Sequence, residues 1–259
     1  MRFEISTELN YRADQATDLL LMVEVAAMHD QQVVESCLTI NGTPPTRTMN
    51  GTDAIGRRAW AGATGDFHAE YRAIVRIDRR PVAIAGLAAT PLRDLPDEAI
   101  PYLWPSRYCE ADRLEAMVCR EFGDREGGDK VLAMMEWIHT HVDYCVGTSN
   151  TATTAIDTLV ARQGVCRDFA HLLAAFIRAG GMPARLVSAY AWKLDPPDFH
   201  AVVEVWLDGA WHLVDATRLA PTESLARIAV GRDATDIAFM TSFAPIELVT
   251  QTVDVRKLD

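Results

Sequence analysis

One cysteine in this chain stands where a thiol can be made reactive. In RQGVCRDFAHLLAAFIRAGG, Arg162 to Gly181, Cys166 lies just past a glycine and opens an apolar run of helical period. The first turn of a helix offers unpaired backbone N–H groups and the positive end of the helix dipole, and both favour thiolate over thiol. A free cysteine is often an inert core residue, and Cys37, Cys109, Cys119 and Cys145 give no reason to be anything else. Position alone sets Cys166 apart as a candidate nucleophile.

A thiolate that attacks an amide needs an acid to protonate the leaving amine, and histidine suits that role near neutral pH. His29 and His68 lie in a β-rich first part of the chain, and His139 and His141 are two apart on a helix, on different faces. His171 is on the same helix as Cys166, more than a turn away. His200 and His212 remain, on two strands joined by Asp208-Gly209, a strong two-residue hairpin signal. With that loop Val202 faces Asp215 and Val205 faces His212. His200 then shares a face with Asp215 and sits diagonally beside it, about 7–8 Å away at the backbone, while His212 lies on the opposite face. The predicted pair is His200–Asp215, with the carboxylate fixing the imidazole tautomer and stabilising its charged form. Taken alone, the hairpin also fits an exposed strand-end histidine and an ordinary surface aspartate.

These residues need particular elements to hold them. Phe169, Leu172, Leu173, Phe176 and Ile177 form one apolar stripe, and Gly180-Gly181 stop the run, which predicts a helix buried along one side. Before it, TTAIDTLVARQ reads as a helix capped by Thr154 and Asp157, with Gly164 after its final turn and its end two residues before Cys166. DRLEAMVCREF and GDKVLAMMEWIHTHV are helical, and ARLVSAYAW, HAVVEVWL and AWHLVDA are strands. Arg167 and Asp168 form either a surface pair or a bond to the loop that positions the thiol.

Up to about Ala89 the chain reads differently. RFEISTELNY, TDLLLMVEVA, QVVESCLTI and FHAEYRAIVRID alternate or run apolar, separated by NGTPP, NGTDAIG and GATGD. That is the pattern of antiparallel strands and turns, and it predicts a β-sandwich-like domain over residues 1–100. The proline-rich TPLRDLPDEAIPYLWP marks a linker, and residues 101–259 form the second domain.

GVCRDFAHLLAAFIRAGGMPARLVSAY followed by FHAVVEVWLDGAWHLVDAT resembles the core of the transglutaminase-like superfamily. YLWPSRYCEADRL and the β-rich first half resemble its bacterial two-domain members. The resemblance implies an α+β architecture, an N-terminal antiparallel β-sandwich-like domain followed by a papain-like catalytic domain. Carried over by position, it implies Cys166 as nucleophile, His200 as general acid/base and Asp215 as orienting carboxylate, the same three the residues point to. Its members also supply an oxyanion donor upstream of the cysteine, which in HVDYCVGTSNTATTA falls on Tyr144, with Trp137 behind it. The Cys166 N–H is the other expected donor.

The expected reaction is attack of Cys166 on an amide of a peptide or protein substrate to give a thioester. Water resolves it in a cysteine protease or amidase, and an amine resolves it in an acyltransferase. A non-catalytic scaffold with an inherited fold is the further alternative. No cofactor or metal is needed. The net charge of −11 over 259 residues gives no attraction for nucleic acid or anionic membranes. MRFEISTELNY lacks the apolar run of a signal peptide and the five cysteines are scattered, so a cytoplasmic location is expected. Trp192, Trp206 and Trp211 and the loop KLDPPDFH are candidates to flank a cleft near the hairpin.

Overall fold

The computed structural model describes all residues, 1–259. Strict alternation along β1 (Arg2–Leu21) turns Phe3, Ile5, Leu9, Tyr11 and Ala13 inward, the period of two that a half-buried strand requires. Three further strands follow: β2 (Gln31–Ile40), β3 (Arg47–Asn50) and β4 (Arg57–Ile77). β1 pairs with β4 along its whole length, from Arg2↔Arg76 to Leu21↔Ala59. β2 and β3 occupy the two halves of the far edge of β4.

These segments supply four strands of one six-stranded sheet, in place of separate short strands. RFEISTELNY and the start of TDLLLMVEVA are two halves of the single strand β1, and GATGD lies inside β4 rather than in a turn. The register shifts between Ala13 and Thr17, opposite Gly65 with φ 72°. Such a bulge bends a strand without ending it, and so it carries turn-like residues.

The helical part contains α1 (Glu115–Phe122), α2 (Gly127–His141), the short β5 (Asp143–Tyr144), α3 (Ala155–Ala161), β6 (Gln163–Gly164) and α4 (Cys166–Ala179). The Thr154/Asp157 capping box opens α3 as expected. The helix ends earlier than its sequence suggests, at Ala161, with Arg162 in the left-handed region (φ 58°). Gly164 is therefore not its cap. α4 is buried around nearly its whole circumference, from Asp168 to Arg178, not along one stripe. Strands cover one side of it, and α2 and α3 cover others.

A second sheet, ordered β10-β7-β8-β9, contains β7 (Ala184–Ala191), β8 (Phe199–Leu207), β9 (Ala210–Val214) and β10 (Leu225–Gly231). Asp208 (φ 49°) and Gly209 (φ 77°) make the two-residue turn between β8 and β9, and both positive φ values match a type I′ hairpin. Its register is Val205↔His212 and Leu207↔Ala210, as the loop length requires.

After α5 (Ala234–Ile237) the chain returns to the first sheet. β11 (Met240–Ser242) and β12 (Glu247–Lys257) pair with β1, β12 from Phe3↔Lys257 to Arg12↔Glu247. A division into residues 1–100 and 101–259 therefore does not hold at its far end, because the last strands complete the first sheet. They satisfy the edge of β1, whose N–H and C=O groups would otherwise be left open. Fifty-two buried residues from both sheets and the helices form one continuous hydrophobic cluster. No helix is long and apolar enough to cross a membrane.

Candidate active site

Cys166 is the first residue of α4, preceded by the extended Val165 (φ −111°, ψ −179°). Asp168, fully buried, accepts the Val165 N–H at 2.9 Å through Oδ2. This ties the entering chain to the first turn, the carboxylate half of a capping box. Arg167 donates through Nη2 to Asp168 Oδ1 (3.3 Å), Ser149 Oγ (3.1 Å) and the Asn150 carbonyl (3.0 Å). The Arg167–Asp168 pair thus bonds the loop beside the thiol, one of the two readings the sequence leaves open.

β5 and β6 run parallel, with Tyr144 beside Gly164 and the Cys145 N–H donating to the Gly164 carbonyl at 2.9 Å. That pairing brings Tyr144 to the start of α4, close enough to Cys166 for the two side chains to affect one another's charge. Burial, then the charge of Cys166, pushes the phenol up to about 12. Its ring packs on Phe169 at 5.8 Å and remains 43% exposed. Trp137 does not stand behind it. It packs instead on Phe176 and His141, with the Arg162 guanidinium over its ring.

His200 and Asp215 meet as hairpin parity predicts, Nε2 to Oδ2 at 2.8 Å, with side chains 0% and 4% exposed. The other oxygen of Asp215 accepts the Thr217 N–H (2.9 Å) and hydroxyl (2.7 Å), so the carboxylate is fixed before it meets the imidazole. Burial alone would pull the imidazole pKa down. The hydrogen bonds and charges of Asp215 and Cys166 outweigh it and raise the value to about 10. That shift favours the charged imidazolium. Nε2 is taken by Asp215, and the buried Nδ1 has no hydrogen-bond partner.

Three other histidines are engaged elsewhere. His171 is buried, accepts the Ala234 N–H at 3.1 Å and stacks on Tyr108, and burial drops its pKa to about 3. His212 donates to the Leu207 carbonyl, and His141 bonds the Trp137 carbonyl. No three His, Cys, Asp or Glu side chains are gathered as metal ligands would be. Trp206 and Trp211 line a cavity of about 930 Å³ with Arg185, Glu204 and Arg227, but Cys166, His200 and Asp215 do not border it. Trp192 packs on Phe3.

Sequence spacing does not mark Thr217 as part of the site, and it reads Gly164 only as a helix-ending glycine. DAT after β9 is an aspartate that can bond the chain two residues on, a signal that could have found Thr217. Nothing local distinguishes Gly164 from an ordinary helix-ending glycine.

A family model described as the transglutaminase-like superfamily matches residues 116–216, a span containing Cys166, His200 and Asp215. The chain is similar over all its length to the crystal structure of a "putative cysteine protease" from Cytophaga hutchinsonii, with 36% identity, 91% of that chain covered and a TM-score of 0.93. An uncharacterised protein of Mycobacterium leprae is 26% identical over 222 residues, 83% of this chain and 70% of that protein. The periplasmic domain of TgpA from Pseudomonas aeruginosa is 18% identical, over 83% of this chain and 76% of that one, with a TM-score of 0.47.

Proposed function

The chain belongs to the transglutaminase-like superfamily, and on that premise we propose that it is a cysteine hydrolase of peptide or other amide bonds, working through Cys166, His200 and Asp215. The observation that carries the reading is the buried His200, whose Nε2 bonds Asp215 at 2.8 Å, whose Nδ1 has no partner, and whose pKa Asp215 and Cys166 raise to about 10, favouring the charged ring. That is the charge state required of an acid that must donate to a departing amine.

In this mechanism the Cys166 thiolate adds to the amide carbonyl, and the oxygen takes the negative charge. In this reading the Cys166 N–H and the hydroxyl of the neighbouring Tyr144 receive that oxygen. His200 gives its proton to the amine nitrogen, the C–N bond breaks, and a thioester remains. Neutral His200 then takes a proton from water as the water attacks the thioester, and the C–S bond breaks to restore the thiolate and imidazolium. Asp215 holds the ring orientation throughout. Cytoplasmic action is proposed on the scattered, free cysteines.

The test is turnover of an amide panel by wild type and Cys166→Ala, with trapped thioester sought by mass spectrometry. Loss of turnover and of the adduct in a folded Cys166→Ala supports the reading. Equal turnover by both overturns it.

A further inference from the structure

The stretch KLDPPDFH leads into β8 at Phe199, and its Asp198 stands two residues before His200. Asp198 is held there: its Oδ1 accepts the Phe199 N–H and the Gln251 side-chain amide of β12, both at 2.7 Å. The second oxygen has no hydrogen-bond partner and the residue is exposed. Asp198 lies just outside β8, two residues before His200 and so at most about 7 Å from it along the chain. The half-exposed ring of Tyr144 also lies within range of this carboxylate, whose charge adds to what pushes the phenol up. Burial and the same carboxylate raise Tyr11. Asp198 forms no salt bridge, and the ammonium groups of Lys193 and Lys257 sit over the Trp192 ring at 4.4 and 5.4 Å.

Resting on the proposed reaction at Cys166, we infer that Asp198 is a specificity-determining carboxylate that selects substrates carrying a cationic group, an ammonium or guanidinium, beside the scissile amide. A cation there meets a fixed carboxylate, and a half-exposed aromatic ring in the same neighbourhood adds to the attraction for such a group. An acidic group at the same place is repelled by Asp198.

Two methanethiosulfonates, one bearing trimethylammonium and one bearing sulfonate, read this charge without any amide chemistry. The Cys166 thiolate attacks the sulfenyl sulfur, a disulfide forms, and methanesulfinate leaves. Mass spectrometry of the Cys166 peptide gives each rate separately from the other thiols. The cationic-to-anionic rate ratio is expected to fall about threefold or more in Asp198→Asn, and further in Asp198→Lys. The change should shrink in about 1 M salt as screening shortens to roughly 3 Å. Gln251→Ala, which frees the carboxylate but keeps its charge, should retain most of the ratio.

An unchanged ratio in folded Asp198→Asn overturns the inference. So does a fall of both rates together in Asp198→Asn and Gln251→Ala, which would make Asp198 an anchor for its loop. Matched amides with lysine, glutamine or glutamate beside the scissile bond provide the second arm. Wild type should prefer lysine and Asp198→Asn should lose that preference. Failure of wild type to cleave any of them would count against the hydrolase reading, while the reagent ratio still decides the role of Asp198.

Discussion

A Cβ at position 164 would stand 2.7 Å from the Cβ of Asp168. The glycine two residues before the nucleophile and the carboxylate two residues after it therefore occupy one another's space. Asp168 can reach the Val165 N–H only because Gly164 carries no side chain.

The first prediction follows from that packing. Gly164→Ala should displace the fully buried Asp168 side chain and cost about 1–3 kcal/mol, as overpacking does, with slower alkylation of Cys166. Thermal melting and alkylation rates measured together check it. A variant as stable and as reactive as wild type would show that the chain gives way at no cost.

The five free thiols should react in a definite order. Cys109 is fully buried, and burial pushes its thiol up to about 12, so it should be the slowest. Cys37 and Cys119 are exposed but have no imidazolium partner, whereas Cys166 has His200. Limited alkylation at pH 7 followed by peptide mass spectrometry should find Cys166 modified first, ahead of the more exposed Cys37 and Cys119.

Stability should depend on pH through His200. Its folded pKa of about 10 lies above the roughly 6.5 of an unfolded histidine. The stabilisation is fully present below about 6.5 and is lost progressively as pH rises from there through about 10. Asp215→Asn removes the carboxylate that supports the charge. The melting temperature of wild type should therefore exceed that of Asp215→Asn most near neutral pH, and the two curves should approach each other toward pH 10. Amide turnover by Asp215→Asn should fall as well, by as much as the order of 10⁴-fold seen for the carboxylate of a serine triad.

Glu204 supports the second sheet from within. It is fully buried, accepts from Arg185 Nε at 2.7 Å and pairs with Arg227, which also reaches Asp30 of the first sheet's loops. Burial alone would raise its pKa, but the two guanidinium groups outweigh this and hold the carboxyl below its usual range. Glu204→Gln would leave two buried guanidinium groups short of a charge partner, an expected loss of about 3–5 kcal/mol. A depressed carboxylate stabilises above its unfolded pKa and loses that contribution as pH falls through the folded value. The melting gap between wild type and Glu204→Gln should therefore narrow in acid, below about pH 4.

The residues that the sequence settled by itself are those fixed by local rules. The two-residue loop at Asp208-Gly209 sets the register of β8 and β9, and with it the meeting of His200 and Asp215. The apolar period and the Gly180-Gly181 stop fix α4, and so the placing of Cys166 in its first turn. Each of these depends on residues close in the chain.

The tertiary structure decided what depends on distant partners. Alternation along β1 is the same whether the segment is one long strand or two short ones, so only its pairing with β4 and β12 decides between them. Arg162, not a glycine, takes the left-handed turn after α3, and this lets β6 run beside β5 and bring Tyr144 to Cys166. Glu204 in HAVVEVWL looks like the solvent-facing residue of a half-exposed strand. It is buried because Arg185 and Arg227, on the strands that follow one another across the sheet beside it, carry the opposite charge there. A charge is tolerated inside a protein only where its partners are brought to it, and sequence spacing does not record which distant strand will bring them.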